Sequence, residues 1–274
     1  MKTLKNHLIL FDAECPMCIL YTQAFVESGM LDNNGRTAYQ EFPAQACPML
    51  DRQRAVNEIA LVNQETGEVT YGIESLFKVI SFSFPVLKPL FLSRLFFWLM
   101  SKLYAFISYN RRVIIPAPST ANSFEFQPTF RLNYRIVYHL ITWIFTAVIL
   151  SNYVGQMTGL LPVGNAFREY LICGGQILFQ GVIISIIHQN KRWEYLGNMM
   201  TISFAAALLL LPVLLLAQWL HLPPLFYAVW FMVVAGLMFL EHIRRSKLLR
   251  LGNTLTASWV LYRVLILLFI LLIN

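Results

Sequence analysis

The sequence predicts a two-part molecule, an α/β domain over residues 1–115 followed by an all-α transmembrane bundle of about five helices over 134–274. Three observations lead there. The 274 residues are 57% hydrophobic and only 13% charged, too apolar for one soluble domain. Charge is unevenly placed, with 13 Lys/Arg and 11 Asp/Glu in residues 1–135 against 8 and 3 in 136–274. The early residues, by contrast, fall into short apolar runs separated by turn-forming residues.

Taken in order, Leu8-Ile9-Leu10-Phe11 is an apolar run that ends at Asp12, and Ile19, Leu20, Ala24, Phe25 and Val26 recur at helical spacing up to Gly29. This reads as strand, loop, helix. Asp32-Asn33-Asn34-Gly35 is a turn into a strand over Arg36–Phe42, and a second helix lies between Pro43 and Val56. Glu58–Val62 reads as a third strand, joined through Asn63-Gln64-Glu65-Thr66-Gly67 to a fourth over Glu68–Tyr71. A helix over Ile73–Phe82 completes the order β-α-β-α-β-β-α, that of a thioredoxin core.

The loop after the first strand holds Cys15-Pro16-Met17-Cys18. Both thiols sit at a helix N-terminus, where unpaired N–H groups and the positive dipole end favour thiolate over thiol. Cys15 is the candidate nucleophile. Cys18, one turn on, is the candidate resolving thiol that attacks a mixed disulfide at Cys15. Asp12 is positioned to relay a proton as the second thiol ionises. A Cys-x-x-Cys is also half of a zinc site, but that needs a second Cys/His pair at ligand spacing. Cys47, Cys173 and the five histidines supply none, so no metal and no bound cofactor is expected. Cys47 reads as a packed thiol.

These residues carry a family resemblance. Asp12, Cys15 and Cys18 form the Asp-x-x-Cys-x-x-Cys pattern of the DCC family of thiol-disulfide oxidoreductases, and the basic cluster Tyr109-Asn110-Arg111-Arg112 is similar to that family's Asn-Arg-containing end. The resemblance covers less than half of the chain and implies a thioredoxin-like fold with dithiol chemistry at those residues. Two positions differ from the pattern. Ala13 follows the Asp where the family carries Gly, and Ala55-Val56-Asn57 stands before the third strand where thioredoxins proper have a proline.

Residues 86–108 are apolar but carry Lys88, Arg94 and Lys102, and read as one basic amphipathic helix lying at the membrane surface or against the domain. Residues 116–133, rich in Pro, Ser, Thr and Asn, are the expected linker. Five spans are expected at 136–156, 169–188, 195–220, 223–242 and 255–273. Lys191-Arg192 and the set Arg244, Arg245, Lys247 and Arg250 fall in loops of one parity, which predicts a cytoplasmic N-terminal domain and a C-terminus outside. The short apolar run before Asp12 is too brief for a signal-peptide core, consistent with that side. The net charge of +7 is thus a topology signal, and no nucleic-acid partner is expected.

Within the spans, Cys173, Gln176 and Gln180 lie near Gly174, Gly175 and Gly181, a pattern of close helix packing. Arg263, an intramembrane cation, is a functional candidate or a snorkelling side chain, with Glu241 as its expected partner. The function expected is a membrane-anchored thiol-disulfide oxidoreductase whose partners are a protein or small-molecule thiol or disulfide, membrane lipid and a quinone as a lipid-soluble carrier. The alternative is a non-catalytic membrane scaffold or binding protein. A transporter is disfavoured because no matched pair of spans is broken by Gly and Pro.

Overall fold

A computed structural model describes residues 2–43, 45–116, 128–162, 164–220 and 222–272. The chain divides into two compact units, Met1–Tyr134 and Arg135–Asn274.

In the first unit, β1 (His7–Phe11) is the central strand of a four-stranded sheet. It pairs in parallel with β2 (Arg36–Ala38) and antiparallel with β3 (Ala60–Asn63), which pairs antiparallel with β4 (Val69–Tyr71), giving the order β2-β1-β3-β4. Strand alternation sends successive residues of β1 and β3 to opposite faces. Leu8, Leu10, Ala60 and Val62 pack with Tyr39, Cys47, Ala55 and Val56 on one face. Ile9 and Leu61 pack with Leu4, Leu31, Ile59 and Val79 on the other. A strand buried on both faces needs an unbroken apolar run, and Leu8-Ile9-Leu10-Phe11 is that run.

Helix α1 (Pro16–Glu27) begins on Pro16, whose missing N–H costs nothing in the first turn, and ends where Gly29 takes a φ of 73°. There Ser28 N–H donates to Ala24 and Met30 N–H to Phe25, closing the last carbonyls. The segment after β2 departs from expectation. The strand stops at Ala38 instead of Phe42 because the Glu41 N–H turns back to the Ala38 carbonyl. The second helix, α2 (Arg52–Asn57), starts only where Asp51 can cap it, its carboxylate accepting the Arg54 N–H at 2.9 Å. Helix α3 (Ile73–Ser83) follows Gly72, which has a φ of 61° and no room for a Cβ against Glu58 and Tyr104.

The expected single helix over 86–108 is instead two. Helices α4 (Lys88–Leu92) and α5 (Arg94–Ile114) meet at a bend of 88°, because Ser93 takes an extended ψ of 122° and caps α5. Phe91, Phe96 and Phe97 close onto Phe77 of α3, the Phe77–Phe91 rings stacking at 4.2 Å. Leu92, Leu95, Trp98 and Leu99 are left exposed. The expected linker falls mostly on 117–127, outside the described residues. Thr129, beyond it, packs in the first unit, its N–H donating to Asn57 Oδ1 at 2.8 Å.

The second unit comprises α6 (Leu132–Val154), which starts in the last residues of the first, then α7 (Arg168–Ile187), α8 (Arg192–Leu216), α9 (Pro224–Leu248) and α10 (Thr254–Leu272). With the short turns that extend α6 and α8, five helices among the described residues are long and apolar enough to cross a membrane, which makes this a multi-pass membrane protein. Polar side chains tie them together. Tyr138 and Thr201 hydroxyls meet at 2.6 Å, and Tyr195 Oη donates to Gln180 Oε1 at 2.9 Å while lying 3.1 Å from His242 Nε2. His242 Nδ1 in turn lies 3.0 Å from Thr256 Oγ1, and Gln180 Nε2 donates to Ser258 at 3.1 Å. One network thus joins α7, α8, α9 and α10. Glu241 is not the partner of Arg263. It is held by Arg244 and Arg245 at 2.6 and 2.7 Å, cations three and four residues away on its own helix.

Candidate functional site

Cys15 is the N-cap of α1, with extended backbone at φ −107° and ψ 105°. Its Sγ accepts the Cys18 N–H at 3.4 Å, in the manner of a capping oxygen, so a donor of the first turn points directly at the sulfur. The loop is closed beneath it by the Cys15 N–H donating to the Asp12 carbonyl at 3.0 Å. Cys18 lies one turn on, and its carbonyl accepts the buried Thr22 hydroxyl at 2.7 Å. Both sulfurs are reduced, and both pack with Phe11 and Ala38.

Asp12 sits at the end of β1 with 2% of its surface exposed. Its Oδ1 accepts Gln40 Nε2 at 2.9 Å and the Glu14 N–H at 3.0 Å, and its Oδ2 accepts an Arg111 nitrogen at 2.8 Å. Arg111, at the far end of α5, is the residue that reasoning from sequence left outside the site. Its guanidinium also donates to the carbonyls of Val56 at 2.6 Å and Asn57 at 3.2 Å, and reaches Ser108 Oγ at 3.4 Å. Only the Nε–H lacks a protein partner among the described residues. The fork geometry of Arg suits this task, binding a carboxylate and two carbonyls of the α2–β3 segment at once. The signal for it was present in the Arg111-Arg112 pair near the end of the domain. What the sequence does not display is that the chain folds so as to bring it to Asp12 across a separation of 99 positions. Arg112, more exposed, pairs with Glu14 at 3.0 Å beside the dithiol loop.

The electrostatics separate the two thiols. The Cys15 pKa is lowered from 9.0 to about 7, first because the Cys18 thiol donates to its sulfur, and further by the Arg111 charge and the Cys18 N–H; burial and Asp12 oppose this. Cys18 is raised, because its proton is held by Cys15 and because it is buried. One sulfur therefore ionises and its neighbour keeps the proton. Tyr39, nearby, is pushed up to about 12, mainly by burial.

A pH dependence follows. A thiol whose folded pKa lies below its unfolded value stabilises the native state when ionised. For Cys15 that contribution is complete above about pH 9 and is lost as the pH falls through about 7. In the reduced protein, the protection factors of the β1 amides, corrected for intrinsic exchange, are expected to rise as the pH goes from about 7 to about 9. Cys18→Ala, which removes the donor, should move the ultraviolet thiolate transition of Cys15 upward. A transition that stays in place would show that Cys18 does not set it.

The structure thus places Asp12, Cys15 and Cys18 along one loop and the first turn of α1, and adds Arg111, bonded to Asp12. Cys47 is elsewhere, buried on the Leu8 and Leu10 face of the sheet with its Sγ 3.7 Å from the Gly67 carbonyl. Among the described residues no group of three or more His, Cys, Asp or Glu side chains is placed to hold a metal ion. Comparisons with protein-family models, curated proteins and solved structures match nothing to this chain.

Proposed function

We propose that the protein is a membrane-anchored thiol-disulfide oxidoreductase in which Cys15 attacks and Cys18 resolves. The observation that carries this reading is the opposite displacement of two adjacent thiols, Cys15 down and Cys18 up, over a buried Arg111–Asp12 pair. A dithiol serves exchange when one sulfur is a thiolate near neutral pH and the other is kept protonated until the mixed disulfide forms. The step balances within the site. The Cys15 thiolate displaces one sulfur of a substrate disulfide as thiolate, then Cys18 loses its proton and attacks Cys15, releasing the second substrate thiol and leaving Cys15–Cys18 oxidised. Asp12, at the end of β1 where the dithiol loop begins, is the candidate to take that proton. The sheet order β2-β1-β3-β4, with the dithiol at the end of the central strand and the start of the first helix, supports the thioredoxin-like and DCC-family reading.

One observation favours the non-catalytic alternative: Cys15 and Cys18 are only 2% and 3% exposed. Attack on a protein disulfide therefore requires the dithiol loop to open, and a small thiol would reach it more readily. The full-length protein in detergent, oxidised and then titrated against glutathione redox buffers with mass labelling of thiols, decides between the two. A cooperative two-electron transition confined to Cys15 and Cys18 is expected. Thiols that never pair across that range would leave the scaffold reading standing.

The positive-inside pattern assigns this unit to the cytoplasm. Reporter fusions after Asn190 and Lys247 should report the cytoplasm, and fusions near Val163, His221 and Asn274 the outside, all three of which lie beyond the described residues. The exposed apolar side chains of α4 and α5, interspersed with Lys88, Arg94 and Lys102, suit the membrane surface. A cytoplasmic C-terminus would overturn the five-span topology and make the bent pair α4–α5 a sixth crossing.

A further inference from the structure

Midway along α7 and α10, the second unit carries buried polar groups that the helix-joining network does not satisfy. Gln180 is fully buried and bonded through both amide atoms, to Tyr195 and Ser258. Gln176, one turn earlier on the same face and 6% exposed, has no partner for Nε2 or Oε1 among the described residues. On α10, Trp259 Nε1 and Arg263 Nε are likewise buried and unpartnered, Trp259 being 3% exposed. Two contacts fix how these stretches oppose each other. Gln180 meets Ser258, and Tyr262 Oη donates to the Ile172 carbonyl at 2.9 Å while lying against Gly175. In an antiparallel pair these contacts bracket Gln176 against the turn from Trp259 to Arg263. Arg263 stands over the Trp259 ring at 4.1 Å, and among the described residues no carboxylate pairs with it.

An unpaired polar group inside a membrane helix is costly, and each one in a folded chain calls for a partner. Their chemistry is unequal. Trp259 and Arg263 can only donate and Gln176 donates through its nitrogen, so three donor atoms face one acceptor, Gln176 Oε1, and the net deficit is of an oxygen acceptor. Arg263 is half-buried, so part of its side chain reaches the surface of the second unit. We infer that Gln176, Trp259 and Arg263 form an intramembrane binding site for the oxygen acceptor of a lipid-dissolved molecule, the carbonyl of a quinone or the carboxylate of a free fatty acid. Arg263 supplies the charge-assisted bond, Gln176 and Trp259 orient the oxygen, and the Trp259 ring keeps the guanidinium in place. This site is independent of the dithiol chemistry and would exist in a scaffold as well.

The test is equilibrium binding to the full-length protein in phosphatidylcholine nanodiscs, with radiolabelled decylubiquinone in one arm and radiolabelled oleate in the other. Saturable binding of at least one is expected, weakened about tenfold or more by Arg263→Leu and by Gln176→Leu, as loss of a charge-assisted or buried hydrogen bond implies. Arg263→Lys should restore part of it. Decylubiquinone alone identifies a carbonyl site, and oleate alone a carboxylate site. Should the variants misfold, the wild-type chain gives a second readout: the bound probe should slow alkylation of Cys173, which lies within electrostatic reach of Arg263, and leave Cys47 unaffected. Binding of neither probe, or binding that both Leu variants retain at full strength, would overturn the proposal.

Discussion

Cys15→Ser is expected to bring thiol-disulfide exchange down to the uncatalysed background, while Cys18→Ser should retain the first attack and stall as a mixed disulfide. The asymmetry follows from the geometry of the first turn. The Cys18 N–H and the Cys18 thiol both donate to the Cys15 sulfur, so the attacking thiolate is the one at the N-cap. A serine at position 15 has a hydroxyl that does not ionise near neutral pH, and Cys18, its pKa raised, is a poor substitute. In Cys18→Ser the serine hydroxyl can still donate to the Cys15 sulfur, so attack continues, but nothing remains to release the product. Mass spectrometry of thiol adducts after incubation with a disulfide substrate reads both outcomes, and the trapped species names the partner. Equal trapping by both single variants would reverse or remove the assigned roles.

The second large effect is on Arg111. Arg111→Leu leaves the buried Asp12 carboxylate with only the more distant Arg112, 3.8 Å away, and frees the Val56 carbonyl, while that of Asn57 keeps the Ser108 hydroxyl, so a loss of about 3–5 kcal/mol is expected from breaking a buried pair on one side. Hydrogen exchange of β1 and β3 amides in the full-length protein measures it, because those strands flank the pair. Arg111→Lys keeps a charge but loses the fork, so it should fall between. The double variant Asp12→Asn, Arg111→Leu should recover part of the loss, since no uncompensated charge remains. The Cys15 pKa should also rise in every Arg111 variant that lacks the charge, because that charge helps hold it down. A thiol titration unchanged in Arg111→Leu, in a chain still folded by hydrogen exchange, would separate Arg111 from the chemistry and leave it a purely structural role.

Much of the first unit was legible because its cues are local. The apolar run of β1, the glycine that ends α1, the Asn63–Gly67 hairpin loop and the Cys-x-x-Cys all announce themselves within a dozen residues. The region between β2 and α2 was not. There Pro43 and Pro48 break any long helix, and the start of α2 waits on the cap that Asp51 happens to provide. The spans of the second unit were legible from length and apolarity alone, since a bilayer leaves few choices. What escaped was long-range pairing. The reach of Arg111 to Asp12, and the capture of Glu241 by its own helix instead of by Arg263, depend on competition among charges that only the folded chain resolves. The break at Ser93 escaped for a related reason, because a Ser93-Arg94 pair among apolar residues does not by itself mark where a helix turns.

The contacts of Thr129 bear on how the N-terminal unit could be isolated. Thr129 exchanges hydrogen bonds with Asn57 and accepts one from Gln53, Tyr134 stacks on Tyr109 at 4.9 Å, and the Tyr134 carbonyl accepts Asn110 Nδ2. These bonds grip the same Asn57 and the same end of α5 from which Arg111 is held. A fragment cut after Ile115 would shed that outer clasp, baring Asn57 to water and letting the last turn of α5 fray. Its dithiol would then titrate like that of a weakened Arg111 site. A fragment ending at Tyr134 keeps the clasp, and is the shorter piece in which the thiols should retain the acidity they have in the whole chain.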